Sequence, residues 1–252
     1  MIDLDGKTIL VTGGSRGIGA AIVRAAAGAG ATVLLHYARS RAAAEAIRDE
    51  IGSASCRLLA ADLAEADAAS ALWRAAEAHV PRIDVLVNNA GIFAPAPIAA
   101  PMADWRKTFA RVMQVNLTAP AELCKLAVAH FRERDGGKIV NIASRAAHRG
   151  DAPDQWPYAA SKAALVALTK TIARGYAAEN VLAFAVAPGF TETDMAYAGA
   201  TPADIGRILS EIPLGSMAAP DEVGALVAFL CSDKARHMTG ATFDVNGASY
   251  VR

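Results

Sequence analysis

The sequence predicts a single α/β domain built on a doubly wound parallel sheet of about seven strands. Three observations predict it. Short strand-like runs alternate with longer helical patterns, most of these runs are apolar at every position, and the chain has 252 residues of which 54% are hydrophobic. Strands that are apolar on both faces are typical of a parallel sheet covered by helices on each side. This length suits one large core, so we assign residues 1–252 to one domain.

The strand pattern occurs in seven segments that are separated by helical patterns. Parallel strands need crossover connections, and these are almost always right-handed. One long helical pattern lies near 103–134, and another begins at PYAASKAALVAL. The predicted strands cover residues 7–12, 32–37, 56–61, 84–89, 138–144, 181–187 and 241–246.

A segment rich in Gly, Pro, Thr and Ala, residues 189–219, breaks this alternation. It follows the sixth strand, so it should lie at the carboxyl edge of the sheet, where ligands bind in such folds. We predict that it forms a mobile substrate lid.

Charge and cysteine usage exclude several classes of protein. Lys+Arg and Asp+Glu both total 25, which argues against a nucleic-acid or membrane-surface partner. The three cysteines are scattered without a Cys-x-x-Cys motif, which favours a reducing cytoplasm. The N-terminal segment is acidic where a signal peptide is basic, and no apolar run approaches about 18 residues. The histidines show no ligand spacing, so no metal is predicted.

The first strand runs into a glycine turn, TGGSRGIGAAI. Gly13, Gly17 and Gly19 follow the spacing G-x-x-x-G-x-G, which differs from the G-x-G-x-x-G fingerprint. Such a turn lets the backbone approach a pyrophosphate at a helix N-terminus. No Gly-Lys-Ser/Thr follows, so a P-loop is excluded. Taken alone, the turn is also compatible with a tight strand–helix connection that binds nothing.

The end of the second strand bears on the choice of cofactor. An acid there would bind the ribose hydroxyls of NAD, whereas arginine accommodates the 2′-phosphate of NADP. Residues 36–38 include no acid, Arg39 and Arg41 follow, and Arg16 lies inside the glycine turn. A guanidinium can hold phosphate bidentately. The sequence favours NADP(H) over NAD(H), the alternative being that these arginines are solvated loop residues.

Tyr158 and Lys162 are four residues apart, so they project from one helical face. A nearby ammonium favours the phenolate and lowers the pKa of a tyrosine. The pair could then donate a proton to a carbonyl oxygen or take one from an alcohol. The alternative is two polar residues that pack by their apolar stems.

Three motifs in order, TGxxxGxG, NNAG after the fourth strand and YxxxK, make nearly the whole chain resemble a classical short-chain dehydrogenase/reductase. The resemblance implies a Rossmann-type fold and a homotetramer. Its interfaces would lie on the helices near 103–134 and 157–178 and on the C-terminal strand.

The resemblance also implies the site residues. Ser144 should hydrogen-bond the substrate oxygen, and Asn116 should interrupt the fourth helix and hold a water. Lys162 should also hold the nicotinamide ribose, and Asp62 should contact adenine. The gap from Ser144 to Tyr158 is one residue longer than is common, which puts the loop's conformation in question. The implied cofactor contacts are Gly13, Ser15, Arg16, Gly17, Ile18, Gly19, Tyr37, Arg39, Ser40, Asp62, Leu63, Asn89, Ala90, Gly91, Tyr158, Lys162, Pro188, Gly189, Thr191 and Thr193.

The substrate pocket is predicted from aromatic and small residues near this edge. They suggest a medium-sized, partly apolar ketone or alcohol, and are Phe93, Ala146, Ala147, Trp156, Phe190, Met195 and Tyr197.

The phrases APGFTETDM and VNLTAP resemble the 3-oxoacyl-[acyl-carrier-protein] reductases. That branch has basic residues before strands five and six for docking an acidic carrier, where this chain has Asp135 and Glu179. We therefore favour a stand-alone carbonyl reductase or alcohol dehydrogenase. The alternatives are a carrier-protein reductase, a non-catalytic nucleotide-binding sensor, and a lyase or epimerase of the extended relatives.

Overall fold

A computed structural model describes residues 2–197, 199 and 201–251. Within them, seven strands pair in parallel to form one sheet of order β3-β2-β1-β4-β5-β6-β7, which confirms the predicted doubly wound fold. The strands are β1 (Thr8–Val11), β2 (Thr32–Tyr37), β3 (Cys56–Ala60), β4 (Val85–Asn88), β5 (Gly137–Ile142), β6 (Val181–Pro188) and β7 (Thr242–Val245).

Helices cover both faces of the sheet. The long helical pattern predicted near 103–134 is interrupted by a π-helical turn, Gln114–Thr118. The helices in the described residues are α1 (Gly17–Gly28), α2 (Arg41–Ile51), α3 (Ala68–Glu77), α4 (Met102–Met113), α5 (Ala119–Arg132), α6 (Ala146–Arg149), α7 (Trp156–Tyr176), α8 (Asp194–Tyr197), α9 (Pro202–Ser210) and α10 (Pro220–Cys231).

Alternate strand residues enter two different hydrophobic cores. In β1, Ile9 and Val11 pack on the side of α1, α2 and α10, whereas Leu10 packs on the side of α3, α5 and α7. All three are fully buried. This two-sided burial explains why the strands are apolar at every position.

The strand order reverses between β1 and β4, which lie side by side in the middle of the sheet. In an open parallel sheet such a reversal leaves a crevice at the carboxyl edge. The glycine turn follows β1 and NNAG follows β4, so both motifs reach this crevice.

The predicted lid segment carries α8 and α9 and has a small core of its own, in which Ile208, Ile212 and Met217 are buried. Residues 198 and 200 of this segment lie outside the described residues. Its mobility stays a prediction. Across the described parts of the chain, no helix is long and apolar enough to cross a membrane.

Candidate active site

The glycine turn is built from positions that exclude a side chain. Gly17 begins α1 with a φ of +52°, in the left-handed region that favours glycine. A Cβ on Gly19 would lie 2.0 Å from the carbonyl oxygen of Gly13 and 2.5 Å from Nδ2 of Asn89. The turn is therefore packed against its neighbours, and its backbone is left open to a ligand.

Side chains after β1 and β4 tie this turn to the NNAG motif. The hydroxyl of Thr12 accepts from the backbone amides of Asn89 and Ala90, at 3.0 Å each. The Asn89 amide donates to the carbonyl oxygens of Thr12 (2.9 Å) and Gly13 (3.1 Å). The sequence predicts Thr12 and Asn89 as strand ends, whereas β1 ends at Val11 and β4 at Asn88, and the side chains of Thr12 and Asn89 make these bonds.

His36 completes the turn's support, a role that sequence reasoning missed. Its Nδ1 accepts from the Gly13 amide at 3.1 Å, and its Nε2 lies 2.9 Å from the carbonyl oxygen of Ala61. Since an amide can only donate to an unprotonated nitrogen, the ring is neutral with its proton on Nε2. Burial lowers the pKa of His36, which agrees with a neutral ring. A polar residue inside an apolar strand was the available signal.

The arginines predicted to hold phosphate separate into two groups. Arg16 and Arg39 line the cleft and are exposed. Arg39 is 3.3 Å from the carboxylate of Asp62, which also lines the cleft. Arg41 instead pairs with Glu45 at 2.9 Å on the surface of α2 and lies outside the cleft lining.

The structure brings Tyr158, Lys162 and Ser144 together at the other end of the cleft. Tyr158 lies in the first turn of α7, and the Lys162 ammonium is 5.8 Å from the centroid of its ring. Lys162 Nζ donates to the carbonyl oxygen of Ile142, the last residue of β5, at 2.8 Å. Ser144 lines the cleft with Tyr158, and its side chain acts to lower the pKa of that phenol. The longer loop between them therefore still lets the two residues meet.

The pKa of Tyr158 differs from the sequence-based expectation. Burial raises the pKa of the phenol, and the hydrogen bond with Ser144 opposes part of the rise. Burial also lowers the pKa of Lys162 to about 8. In the chain by itself, loss of water outweighs any help that the ammonium gives to the phenolate.

Asn116 is fully buried in the π-helical turn, not an exposed helix residue. Its Oδ1 accepts from the Ile92 amide at 2.8 Å, and its Nδ2 donates to the Ile92 carbonyl oxygen at 3.0 Å. Nδ2 also lies 3.2 Å from the hydroxyl of Ser161, which donates to the Tyr158 carbonyl oxygen at 2.7 Å. Asn116 thus positions the loop after NNAG and the turn that carries Tyr158. Sequence reasoning missed Ser161, although a serine among the alanines of YAASK was the available signal. The role of Asn116 in holding a water stays a prediction.

The residues predicted to contact the cofactor surround one cleft of about 710 Å³. All twenty of them line it, together with Ser144, while Asn116 lies behind its wall. An extended cleft with a glycine turn at one end fits a dinucleotide. Further lining residues that the sequence did not indicate include Arg111, Arg145, Arg149 and Asp151.

The structure places some of the residues predicted for the substrate pocket in the cleft and others outside it. Phe93, Phe190, Met195 and Ala146 line the cleft, and the ring of Phe93 meets that of Tyr158 edge-on at 4.9 Å between centroids. Ala147 is outside the lining. Trp156 and Tyr197 are also outside it and about half exposed, at 53% and 49%. Trp156 packs against Trp105 of α4 because it begins α7 on the side away from the cleft.

Comparison with known proteins agrees with this geometry. The family model described as enoyl-(acyl carrier protein) reductase matches residues 13–248. The chain is 39% identical over 253 aligned positions to a 3-oxoacyl-[acyl-carrier-protein] reductase from Synechocystis, with 98% of each chain covered.

Two solved structures are similar over nearly the whole chain. A dehydrogenase/reductase from Sinorhizobium meliloti superposes with a TM-score of 0.91 at 37% identity, covering 99% of this chain and 97% of that one. A protein from Beutenbergia cavernae has a TM-score of 0.89 at 36% identity, with 98% of each chain covered. It is provisionally described as an NAD(P)-dependent gluconate 5-dehydrogenase and contains NADP at low occupancy. The chain therefore belongs to the classical short-chain dehydrogenase/reductase family of oxidoreductases, in the branch of the 3-oxoacyl-[acyl-carrier-protein] reductases.

Proposed function

We propose that the chain is an NADP(H)-dependent oxidoreductase that interconverts a ketone and a secondary alcohol of medium size and partly apolar character. The observation that carries this proposal is that Ser144, Tyr158 and Lys162 line one cleft together with the glycine turn. A substrate oxygen placed between the two hydroxyls would be polarised by one and protonated by the other.

The cofactor would lie between the glycine turn and the catalytic helix. The backbone of Gly13–Gly19 would hold the pyrophosphate, Asp62 and Leu63 the adenine, and Lys162 the nicotinamide ribose. When bound, NADP(H) supplies or accepts the hydride, and the positive charge of its oxidised form favours the phenolate.

Each catalytic side chain has a defined task in the proposed reaction. Tyr158 donates its phenolic proton to the carbonyl oxygen during reduction and recovers one from the alcohol during oxidation. Ser144 orients the substrate oxygen, and its hydrogen bond favours the phenolate. Lys162 is fixed by Ile142, so its charge stays near the phenol ring. Asn116 positions the turn that carries Tyr158 through Ser161.

Preference for NADP(H) is supported by the exposed arginines at the far end of the cleft. Tyr37 occupies the strand end where an acid would bind the ribose of NAD, and Arg16 and Arg39 line the same cleft. A phosphate would bind these guanidiniums without repulsion from a carboxylate at position 37.

A second candidate function is the reduction of a 3-oxoacyl group on a carrier protein. The names of the relatives favour it. The charges at the docking positions oppose it, because Glu179 is acidic and binds Arg132, so this arginine is already engaged.

Purified protein with NADPH or NADH tests both candidates, with turnover followed by the nicotinamide absorbance. We expect NADPH-dependent reduction of medium-sized ketones. Robust turnover of a carrier-bound 3-oxoacyl substrate together with poor turnover of free ketones would favour the second candidate. Cofactor binding without turnover of any carbonyl or alcohol would point to a nucleotide-binding sensor instead.

We further propose that the chain forms a homotetramer in the cytoplasm. Met102 at the start of α4 is 60% exposed and Trp156 at the start of α7 is 53% exposed, so apolar surface is available where one interface was expected. Light scattering of the purified protein measures the assembly directly.

A further inference from the structure

Two arginines follow Ser144 directly in the chain, in the segment SRAAHRG. Arg145 precedes α6 and Arg149 ends it, so the two are four residues apart and project from the same face. The Arg145 amide donates to the carbonyl oxygen of Pro188 at 2.9 Å, which fixes this segment to the end of β6. Both arginines line the cleft. Two cationic groups therefore stand beside the residue that is proposed to orient the substrate oxygen.

Both guanidiniums approach the same carboxylate oxygen. Oε2 of Glu211, which follows α9 in the lid segment, lies 3.7 Å from Arg145 Nη2 and 3.4 Å from Arg149 Nη1. The pair is thus spaced to hold a single carboxylate between them. The contacts are long, since charge-assisted hydrogen bonds in proteins are usually about 2.7–2.9 Å. Glu211 therefore lies between the two guanidiniums without forming short hydrogen bonds to them.

Arg145 is buried, and Glu211 does not satisfy all of its hydrogen-bond donors. Its side chain is 8% exposed, and its guanidinium carbon lies 4.5 Å from the centroid of the Phe190 ring. Within the described part of the chain, Nη1 is buried and has no hydrogen-bond partner. An arginine does not lose its proton in proteins, so this is a buried charge with incomplete hydrogen bonding. A second anion or a better-placed carboxylate would complete it.

Two carboxylates act on Arg145 from nearby, those of Asp151 and Glu211. Asp151 lines the cleft and acts on Arg145 electrostatically, but its Oδ1 accepts from the Ala152 amide at 2.8 Å. Glu211 also lies 3.8 Å from Arg207, so its charge is shared among three guanidiniums. An incoming carboxylate would therefore have to take the place of Glu211 between the two guanidiniums.

We propose that Arg145 and Arg149 form a subsite for a carboxylate on the substrate, so that the enzyme prefers keto acids and hydroxy acids to neutral ketones and alcohols. Glu211 occupies this subsite until the substrate carboxylate displaces it. The inference rests on the proposed oxidoreductase function and specifies its substrate class. A thioester carbonyl carries no charge at the corresponding position, so carrier-bound substrates would leave the subsite unused.

The test compares keto acids of graded chain length with their methyl esters, using NADPH and the purified chain. We expect kcat/KM to be about tenfold or more higher for the best acid than for its ester, since a hydrogen bond between charged groups has that effect. In Arg149→Gln and Arg145→Gln this preference should disappear, because kcat/KM falls about tenfold or more further for the acid than for the ester, mainly through KM. Arg207→Gln is the matched control because it also faces Glu211 but lies outside the cleft lining, and it should keep the preference.

A second measurement separates this inference from the proposed function. Binding of saturated carboxylic acids, which have no carbonyl to reduce, is measured by calorimetry on NADP⁺-loaded protein. Binding that is lost in Arg149→Gln supports the subsite even if no ketone is turned over, in which case only the proposed function fails. Equal kcat/KM for acids and esters, together with no carboxylate binding, would overturn the proposed subsite. A fall in kcat/KM in Arg149→Gln that is equal for acids and esters would also overturn it.

Discussion

The ammonium of Lys162 lies 5.8 Å from the centroid of the Tyr158 ring and donates at 2.8 Å to the carbonyl oxygen of Ile142. Burial raises the pKa of the phenol and lowers the pKa of the ammonium to about 8. Both shifts disfavour charge, so the chain by itself holds Tyr158 as a neutral acid. This state is ready to donate a proton, whereas accepting one requires the phenolate.

The two reaction directions should therefore differ in pH dependence. Ketone reduction needs the protonated phenol, so its kcat/KM should be level through neutral pH and fall in alkaline solution. Alcohol oxidation needs the phenolate, so its kcat/KM should rise with pH over the same range. Initial rates in both directions across a pH series measure this, and an oxidation rate already level in mildly acidic solution would contradict it.

Replacing Tyr158 by Phe should reduce turnover by about 100- to 10 000-fold, the usual contribution of a general acid. The edge-on contact with Phe93 does not involve the hydroxyl, so folding and cofactor affinity should be nearly unchanged. Steady-state rates and the NADPH dissociation constant measure the two effects.

Tyr176→Phe is the control for this substitution, because Tyr176 ends the same helix and packs against Arg132 away from the cleft. It should retain full activity. An active Tyr158→Phe variant would show that another group supplies the proton.

The sequence was sufficient to predict the strands, because burial on both faces makes residues such as Ile9, Leu10 and Val11 apolar without interruption. It also predicted residues that line one cleft, since the turns after β1 and β4 meet wherever those strands are neighbours.

Features that depend on distant partners could not be predicted in this way. The Asn116 side chain lies in a π-helical turn and bonds to Ile92, which is distant in the sequence. Arg145 and Arg149 form a pair around Glu211 only because the folded chain brings that residue, which follows α9, next to them. Trp156 lies outside the cleft, and its spacing from Tyr158 does not reveal that it contacts Trp105 of α4 instead.

His36 should make stability depend on pH. Its pKa is lowered by burial from 6.5, so the unfolded chain binds more protons than the folded chain as the pH falls below that value. The free energy of unfolding should be fully retained above about pH 6.5 and should decrease as the pH falls toward the lowered pKa. His130, whose pKa is also lowered by burial, adds to the same trend.

His36→Leu isolates the contribution of the first histidine. It leaves the Gly13 amide without its acceptor, so we expect a loss of about 1–3 kcal/mol and weaker NADPH binding. Urea titrations across the pH series should show a smaller pH dependence for this variant than for the parent chain. The exposed His79→Leu should change neither quantity, and an unchanged pH profile in His36→Leu would contradict the assignment.

Arg39 should set the preference between cofactors. Arg39→Ala should raise the dissociation constant of NADPH by about tenfold and leave that of NADH nearly unchanged, because only the former carries the 2′-phosphate. The effect should shrink at high salt, since the guanidinium is exposed. Arg41→Ala is the matched control, as its guanidinium binds Glu45 outside the cleft lining. An equal rise in the NADPH dissociation constant in the two variants would show that Arg39 does not bind the 2′-phosphate.

Gly19 and Gly28, at the two ends of α1, should respond oppositely to alanine. A Cβ at Gly19 would lie 2.0 Å from the Gly13 carbonyl oxygen, so the turn must shift and the cost should be about 1–3 kcal/mol or more. A Cβ at Gly28 would meet nothing within 4 Å, so Gly28→Ala should stabilise the helix by up to about 1 kcal/mol. Thermal unfolding measures both changes.

Because the turn in Gly19→Ala can no longer approach a pyrophosphate, NADPH should protect that variant from heat far less than it protects Gly28→Ala. Equal protection of the two variants would mean that the cofactor phosphates bind elsewhere.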